Sequence, residues 1–141
     1  MSTLLHAEYP VDAEDYTRAG EASADIKRKL KQLGVSAQVL RRVAVASYEV
    51  ELNLVIHSMG GTLTLEVSPE RVRLISADRG PGIPNVELAM REGWSTANET
   101  ARSLGFGAGM GLPNMKCNAD EFDIESEVGR GTTIRMGFLL G

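Results

Sequence analysis

The sequence predicts an α/β fold of the α+β kind: a two-layer sandwich in which helices cover one face of a mixed, mostly antiparallel sheet. Helix and strand patterns are partly segregated, in the order strand, two helices, two strands, short helix, loop, helix, two strands. The 141 residues are 43% hydrophobic but only 5% aromatic, which suits an aliphatic core. We therefore expect one domain over residues 1–141.

One strand signal followed by two helix signals occupies the first part of the chain. Residues 4–9 have a strand pattern that Pro10 ends, and Asp12 is a candidate N-cap for a helix that extends to about Leu33. Ser36 is a candidate cap for a second helix, in which apolar residues recur every three or four positions. These apolar residues are Val39, Val43, Ala46, Val50 and Leu54.

The second half of the chain is richer in strands. Residues 62–67 and 72–77 alternate apolar and polar side chains around the turn "SPER", which predicts a hairpin. The further expected elements are a short helix over 86–92, a loop over "GWSTANETARS", a helix over 112–118, and strands over 122–126 and 132–139.

Charge and composition exclude several classes of protein. A net charge of -4 provides no field for a general nucleic-acid binder, and the basic run within 27–31 is interpreted as a solvated helix face. A single cysteine, Cys117, excludes an internal disulfide, and with only two histidines a zinc site is not expected. No stretch approaches about 20 apolar residues and the N-terminus has no targeting pattern, so we expect a soluble, cytoplasmic protein.

The second predicted helix carries two polar residues, Glu49 and Asn53, in the stretch "YEVELN". Because they are four positions apart they share one helix face, where a carboxylate and a carboxamide can serve as a base and a metal ligand. The ordinary alternative is an exposed glutamate and a buried, hydrogen-bonded asparagine. Glu51 lies two positions after Glu49 and therefore on another face.

Three stretches with glycines are further candidates. In "DRGPGIP", Asp78 ends an apolar strand and is followed by glycines. Its carboxylate, a hydrogen-bond acceptor, would therefore lie beside backbone that a planar ligand can approach closely. The alternative interpretation of this stretch is a tight turn. In "GFGAGMGLPN", alternating glycines let amide groups converge on an anion where a helix begins, and the interleaved apolar residues argue against a flexible linker. The stretch "GRGTT", taken alone, indicates a hairpin turn.

The order of these motifs resembles the N, G1, G2 and G3 boxes of the GHKL ATP-binding superfamily, which has the Bergerat ATP-binding fold. The matching positions are Glu49 with Asn53, Asp78 with its glycines, the glycine cluster of 107–111, and Gly131-Thr132-Thr133. The short chain and the stretch "DRGPGIPNVELAMREGWST" are similar to the bacterial anti-sigma regulatory factor serine/threonine kinases, which include the stressosome switch kinases. A sensor histidine kinase fits poorly, since no phosphoacceptor-histidine dimerisation helix is present.

The resemblance implies a nucleotide site. Asp78 would accept a hydrogen bond from the exocyclic amine of adenine, and Thr133 would support the adenine from the last strand. Asn53 would coordinate Mg²⁺ while the ion bridges the phosphates of ATP. The glycines implied at the nucleotide are Gly80 and Gly82 beside the adenine and Gly107, Gly109 and Gly111 at the phosphates.

The resemblance also implies a reaction. Glu49 would be the general base that accepts the proton of a substrate hydroxyl as the hydroxyl attacks the γ-phosphate. An ATP lid would extend over about residues 93–111, with Gly105 giving it flexibility. Arg102 would lie either near the γ-phosphate or on the surface.

The expected function is therefore that of an ATP- and Mg²⁺-dependent protein serine/threonine kinase. Its substrate would be a STAS-domain partner of the anti-anti-sigma or stressosome type, and it would regulate transcription by partner switching. A sigma factor or a phosphatase is a further expected partner, nucleic acid and membrane are not, and the resemblance is compatible with a homodimer. The alternative is a nucleotide-gated binding protein with little or no kinase activity, in which ATP or ADP orders residues 93–111 and so selects the partner.

Overall fold

The computed structural model describes residues 3–12, 15–57, 60–79, 90 and 111–140. The elements in this part of the chain are β1 (Leu5–Val11), a 3-10 turn (Tyr16–Arg18), α1 (Glu21–Gln32), α2 (Ala37–His57), β2 (Gly61–Val67), β3 (Arg71–Asp78), α3 (Gly111–Asn118), β4 (Glu121–Glu127) and β5 (Gly131–Leu139). The predicted short helix over 86–92 and the loop after it lie outside the described residues, apart from Met90.

The five strands form one sheet in the order β1-β2-β3-β5-β4. Every pair of neighbours is antiparallel, so the described sheet is antiparallel throughout where a mixed, mostly antiparallel sheet was expected. The hairpin of β2 and β3 is confirmed, and its turn closes with a hydrogen bond of 2.9 Å from the Ser68 N–H to the Arg71 carbonyl. The register places Asp78 opposite Gly61, and Ala77 opposite Thr133.

The core lies between the sheet and α2, which packs against both α1 and α3. The aliphatic repeat of α2 is confirmed as its buried face, with Val43, Ala46, Val50 and Leu54 at 0% exposure. Each fully buried valine or leucine contributes about 1.5–3 kcal/mol relative to an exposed one. The sheet contributes the alternate residues of β2, β3 and β5 to the same core.

The first strand does not end at Pro10, as the sequence predicts, but continues to Val11. Pro10 pairs with Thr62 and has an exposed side chain. Proline cannot donate a hydrogen bond to a neighbouring strand, and β1 has a partner on one side only. Its position in an edge strand therefore accommodates a proline that an interior strand would exclude.

The first helix begins later than predicted. Asp12 is not its N-cap, because a 3-10 turn intervenes and α1 begins at Glu21. The cap residue is Gly20, whose φ of 99° is left-handed and which makes no side-chain capping bond. The N–H groups of Ala22 and Ser23 instead donate to the carboxylate of Glu51, at 3.1 and 2.9 Å. The cap of α1 thus comes from α2.

Candidate active site

Glu49 and Asn53 lie one turn apart on α2, on the side of the helix that meets α3 at Glu49. Both side chains are partly exposed, while Val50 and Leu54 beside them are fully buried. Glu49 Oε1 accepts a hydrogen bond from Asn114 Nδ2 at 3.4 Å. The helical spacing predicted from the sequence therefore places a carboxylate and a carboxamide side by side at the rim of the core.

The half-buried position of Glu49 changes its chemistry. Burial raises the pKa of its carboxyl above the ordinary value, and the hydrogen bond from Asn114 opposes that rise. A general base is most effective when its pKa lies near the working pH, which for a carboxylate requires an upward shift. Glu49 therefore has the environment of a proton acceptor.

Asp78 is the last residue of β3 and lies on the face of the sheet that the helices cover, in alternation with Leu74 and Ser76. Its Oδ1 accepts the N–H of Thr132 at 2.9 Å, and burial raises the pKa of its carboxyl. A Cβ on Gly61 would lie 2.3 Å from the carbonyl oxygen of Ala77. Strand β2 thus approaches the end of β3 so closely that only glycine fits at position 61.

Gly131 makes the corresponding approach from β5. Its φ is 136°, and a Cβ there would lie 2.2 Å from the carbonyl oxygen of Asp78. The first glycine of the Gly131-Thr132-Thr133 motif therefore allows β5 to start directly against Asp78. Thr132, the next residue, donates its backbone N–H to Asp78 Oδ1 and so holds the aspartate in place.

The structure does not bring Thr133 to Asp78. Thr132 is buried on the helix-covered face of β5, in alternation with Ile134 and Met136, whereas Thr133 lies on the opposite face. The Thr132 hydroxyl also shares a hydrogen bond of 2.8 Å with the Ser126 hydroxyl. Thr132 is thus the residue of this motif that holds Asp78, and the sequence interpretation did not single it out. The apolar alternation of β5 was the signal that could have identified it.

The third helix begins at Gly111 and is fixed at both ends. Leu112 and Met115 are buried in the core, and a proline at the third position suits the first turn of a helix. At the other end, Arg42 Nε donates to the Asn118 carbonyl at 2.8 Å, and the Arg42 guanidinium pairs with Asp120 at 2.9 Å. These contacts hold α3 against the helix that carries Glu49.

Several predicted site residues lie outside the described part of the chain. They are Gly80, Gly82, Gly107 and Gly109, together with Arg102, Gly105 and most of the lid segment 93–111. The described residues do contain Glu49, Asn53, Asp78, Gly111 and Thr133.

The described residues include no cluster of three or more histidine, cysteine, aspartate or glutamate side chains that could hold a metal ion. A nucleotide-bound Mg²⁺ does not need one, because it is held by one or two protein oxygens together with phosphate oxygens and water. The carboxamide of Asn53, partly exposed beside Glu49, is a hard oxygen donor of this kind. The donor set therefore fits Mg²⁺ bound with ATP and does not fit a protein-only cage.

The family model of the histidine kinase-, DNA gyrase B-, and HSP90-like ATPases matches residues 37–140. The chain belongs to this family. Within the family it is 32% identical over 109 residues to the serine/threonine-protein kinase RsbT of Bacillus subtilis (strain 168), covering 74% of this chain and 76% of the relative. It is 30% identical over 115 residues to an anti-sigma F factor of Thermoanaerobacter sp. (strain X514), covering 78% and 77%. A third relative, the anti-sigma F factor of Geobacillus stearothermophilus, is 29% identical over 140 residues, covering 95% and 90%.

These relatives confirm the resemblance inferred from the sequence, both to the superfamily and to the anti-sigma regulatory kinases. The chain is accordingly an enzyme of the ATP-dependent serine/threonine kinase class, and its fold is that of the family. None of the helices in the described part of the chain combines the length and apolar character of a membrane span.

Proposed function

We propose that this kinase phosphorylates a serine or threonine of a STAS-domain partner and regulates transcription by partner switching. The observation that carries the proposal is the half-buried Glu49, whose pKa is raised, one turn from Asn53 and in contact with α3. A protein that used nucleotide only as a switch would have no need of a proton acceptor at this place. The named relatives, a serine/threonine kinase and anti-sigma F factors, support the same role.

Adenine recognition is assigned to the end of β3. The N–H of Thr132 fixes Asp78 by binding Oδ1, and in the proposal the carboxylate accepts the exocyclic amine of adenine through Oδ2. Thr132 replaces Thr133 as the supporting threonine, because Thr132 shares the face of Asp78. Gly80 and Gly82 would lie beside the adenine.

Phosphate binding is assigned to the segment that leads into α3. Gly107, Gly109 and Gly111 would direct amides at the phosphates, where the positive end of the α3 dipole also favours an anion. A lid over about residues 93–111 would cover the nucleotide. Asn53 would hold Mg²⁺, which when bound offsets the negative charge of the phosphates.

Glu49 performs the proton step of the proposed reaction. Its carboxylate accepts the hydrogen bond of the substrate hydroxyl and takes the proton as the hydroxyl oxygen attacks the γ-phosphorus. The new bond joins that oxygen to phosphorus, and the bond from phosphorus to the bridging oxygen of ADP breaks. The proton remains on Glu49 until ADP and the phosphorylated partner leave.

Further partners follow from a role in partner switching. A sigma factor or a phosphatase would join the STAS-domain substrate in the switch, nucleic acid and membrane would not be bound, and the kinase would act in the cytoplasm, where ATP and the transcription machinery are found. A homodimer is compatible with these roles.

Phosphate transfer to candidate partners tests the proposal directly. The protein is incubated with [γ-³²P]ATP, Mg²⁺ and a panel of recombinant STAS-domain proteins from the same genome. We expect one of them to be labelled on serine or threonine. Partner binding that depends on ATP or ADP without any labelling would overturn the kinase proposal in favour of the nucleotide-gated switch.

The adenine assignment predicts a specific loss in Asp78→Asn. The new amide presents a donor where adenine also presents one, so ATP affinity should fall about 10- to 100-fold, the range expected for one hydrogen bond to a charged group. Calorimetric titration with ATP measures the change, and Asp123→Asn on exposed β4 is the matched control. Tight ATP binding by Asp78→Asn would remove this residue from the adenine site.

A further inference from the structure

Asn114 is the described residue through which α3 touches the candidate base. It lies on the first turn of α3, three positions after Gly111, and its Nδ2 donates to Glu49 Oε1 at 3.4 Å. It is the last residue of the stretch "GFGAGMGLPN" but lies outside the glycine cluster of 107–111 that resembles a motif box. It therefore joins the helix that begins at the phosphate-binding segment to the helix that carries the base.

The position of Asn114 is itself fixed from both sides. Asn118 Nδ2 donates to the Asn114 carbonyl at 2.8 Å, and Arg42 Nε, from α2, donates to the Asn118 carbonyl. Met115, the next residue, is fully buried. The backbone of Asn114 is thus held in place by contacts that do not involve Glu49, and its side chain reaches Glu49 from this fixed position.

We propose that Asn114 is a positioning residue for phosphate transfer, which holds the Glu49 carboxylate in one orientation relative to the start of α3. The inference rests on the proposed function of Glu49 as the base. As a consequence, α3, whose first residues would bind the phosphates, also orients the Glu49 carboxylate that accepts the proton.

The electrostatic reason is a balance of two influences. Burial disfavours the charge of Glu49 and raises its pKa, while the N–H of Asn114 favours the charge. Among the described residues these two influences account for the shift, and no charged side chain takes part. Removing the donor should therefore raise the pKa of Glu49 further, so that the acid limb of any rate that depends on the ionised carboxylate moves to higher pH.

Two variants and one control test this role. Asn114→Leu removes the donor with little change of size, Asn114→Asp keeps the shape but adds a like charge, and Cys117→Ser changes an exposed residue of the same helix. The first measurement is a ¹³C NMR titration of the Glu49 carboxyl, assigned by its absence in Glu49→Gln. We expect the pKa of Glu49 to rise in Asn114→Leu, to rise more in Asn114→Asp, and to stay unchanged in the control.

The second measurement is the pH profile of single-turnover transfer to the labelled STAS-domain protein. With Asn114→Leu we expect the rate at pH 6 to fall about tenfold, a fraction of what a general base contributes, and to recover towards the wild-type rate at pH 8. A fall of the same size at every pH would indicate a merely structural role. That result, or an unmoved Glu49 titration, would overturn the inference.

Failure of the proposed function would look different. The wild-type protein could transfer no phosphate to any STAS-domain protein while the pKa of Glu49 still differs between wild type and Asn114→Leu. In that case Asn114 positions Glu49, but the proposed kinase function is wrong. If the wild-type protein transfers phosphate, but the Glu49 titration and the pH profile are the same in Asn114→Leu as in wild type, the proposed function stands. Asn114 is then not a positioning residue.

Discussion

Two glutamates of α2, only two positions apart, have opposite surroundings. Glu51 faces α1, is 2% exposed, and accepts two backbone N–H bonds, from Ala22 at 3.1 Å and from Ser23 at 2.9 Å. Glu49 faces α3, is partly exposed, and, within the described part of the chain, accepts a longer bond from the side chain of Asn114. Two positions correspond to about 200° around a helix, which separates the two carboxylates into different environments.

The difference separates structure from chemistry. Glu51 satisfies donors at the start of α1, where the N-cap residue Gly20 makes no side-chain hydrogen bond and the helix dipole favours a negative charge. Both of its carboxylate oxygens are engaged with backbone N–H groups. Glu49 has a weaker partner and a carboxyl that burial has made more basic. We therefore predict that Glu51 stabilises the fold and that Glu49 takes part in phosphate transfer.

The largest expected effect is on transfer by Glu49→Gln. The amide keeps the shape but accepts no proton, so single-turnover transfer should fall about 100-fold or more, the usual contribution of a general base. ATP affinity, measured by calorimetry, should stay close to wild type, and urea unfolding should show no loss of stability. Transfer within about threefold of wild type would show that Glu49 is not the base.

The next effect is on stability, and it falls on Glu51→Gln. One oxygen of the carboxylate becomes an amide nitrogen that faces a backbone N–H, so the free energy of unfolding should drop by about 2–3 kcal/mol. The midpoint of urea unfolding measures this loss. Transfer per folded molecule should remain near wild type. An unchanged midpoint, or a loss of transfer as large as that of Glu49→Gln, would contradict the division between the two glutamates.

Local patterns in the sequence were enough for most of the fold. The apolar repeat of α2 predicted its buried face, the alternation around "SPER" predicted the β2–β3 hairpin, and the spacing of Glu49 and Asn53 predicted their shared face. Each of these signals lies within a few residues of the element that it describes.

The features that the sequence did not predict depend on distant parts of the chain. The cap of α1 comes from Glu51, 28 or 29 positions away, so a search for a neighbouring cap selected Asp12 instead. Pro10 stays in its strand because β1 is at the edge of the sheet, which a strand pattern alone does not reveal. The contact of Thr132 with Asp78 differs from these two, since the alternation of Ile134 and Met136 in the same strand already indicated that Thr132 lies on the helix-covered face.

The smallest expected effect concerns the pH dependence of stability. The pKa of Glu49 is raised in the folded protein, so the folded state holds its proton more tightly than the unfolded chain, whose glutamate has a pKa of about 4.3. The contribution of Glu49 to stability is therefore most favourable below that value and declines as the pH rises through the folded pKa.

Glu49→Gln removes this decline. Relative to wild type, the variant should gain stability as the pH rises from about 4 to 8, by about 1 kcal/mol or less, because the site is only half-buried. Urea unfolding at several pH values measures the difference between the two proteins, in which the titrations of other carboxyls cancel. A difference that stays constant over this range would mean that Glu49 titrates as in the unfolded chain. It would then lack the raised basicity that distinguishes it from an ordinary surface glutamate, and the case for it as the base would rest on its spacing from Asn53 alone.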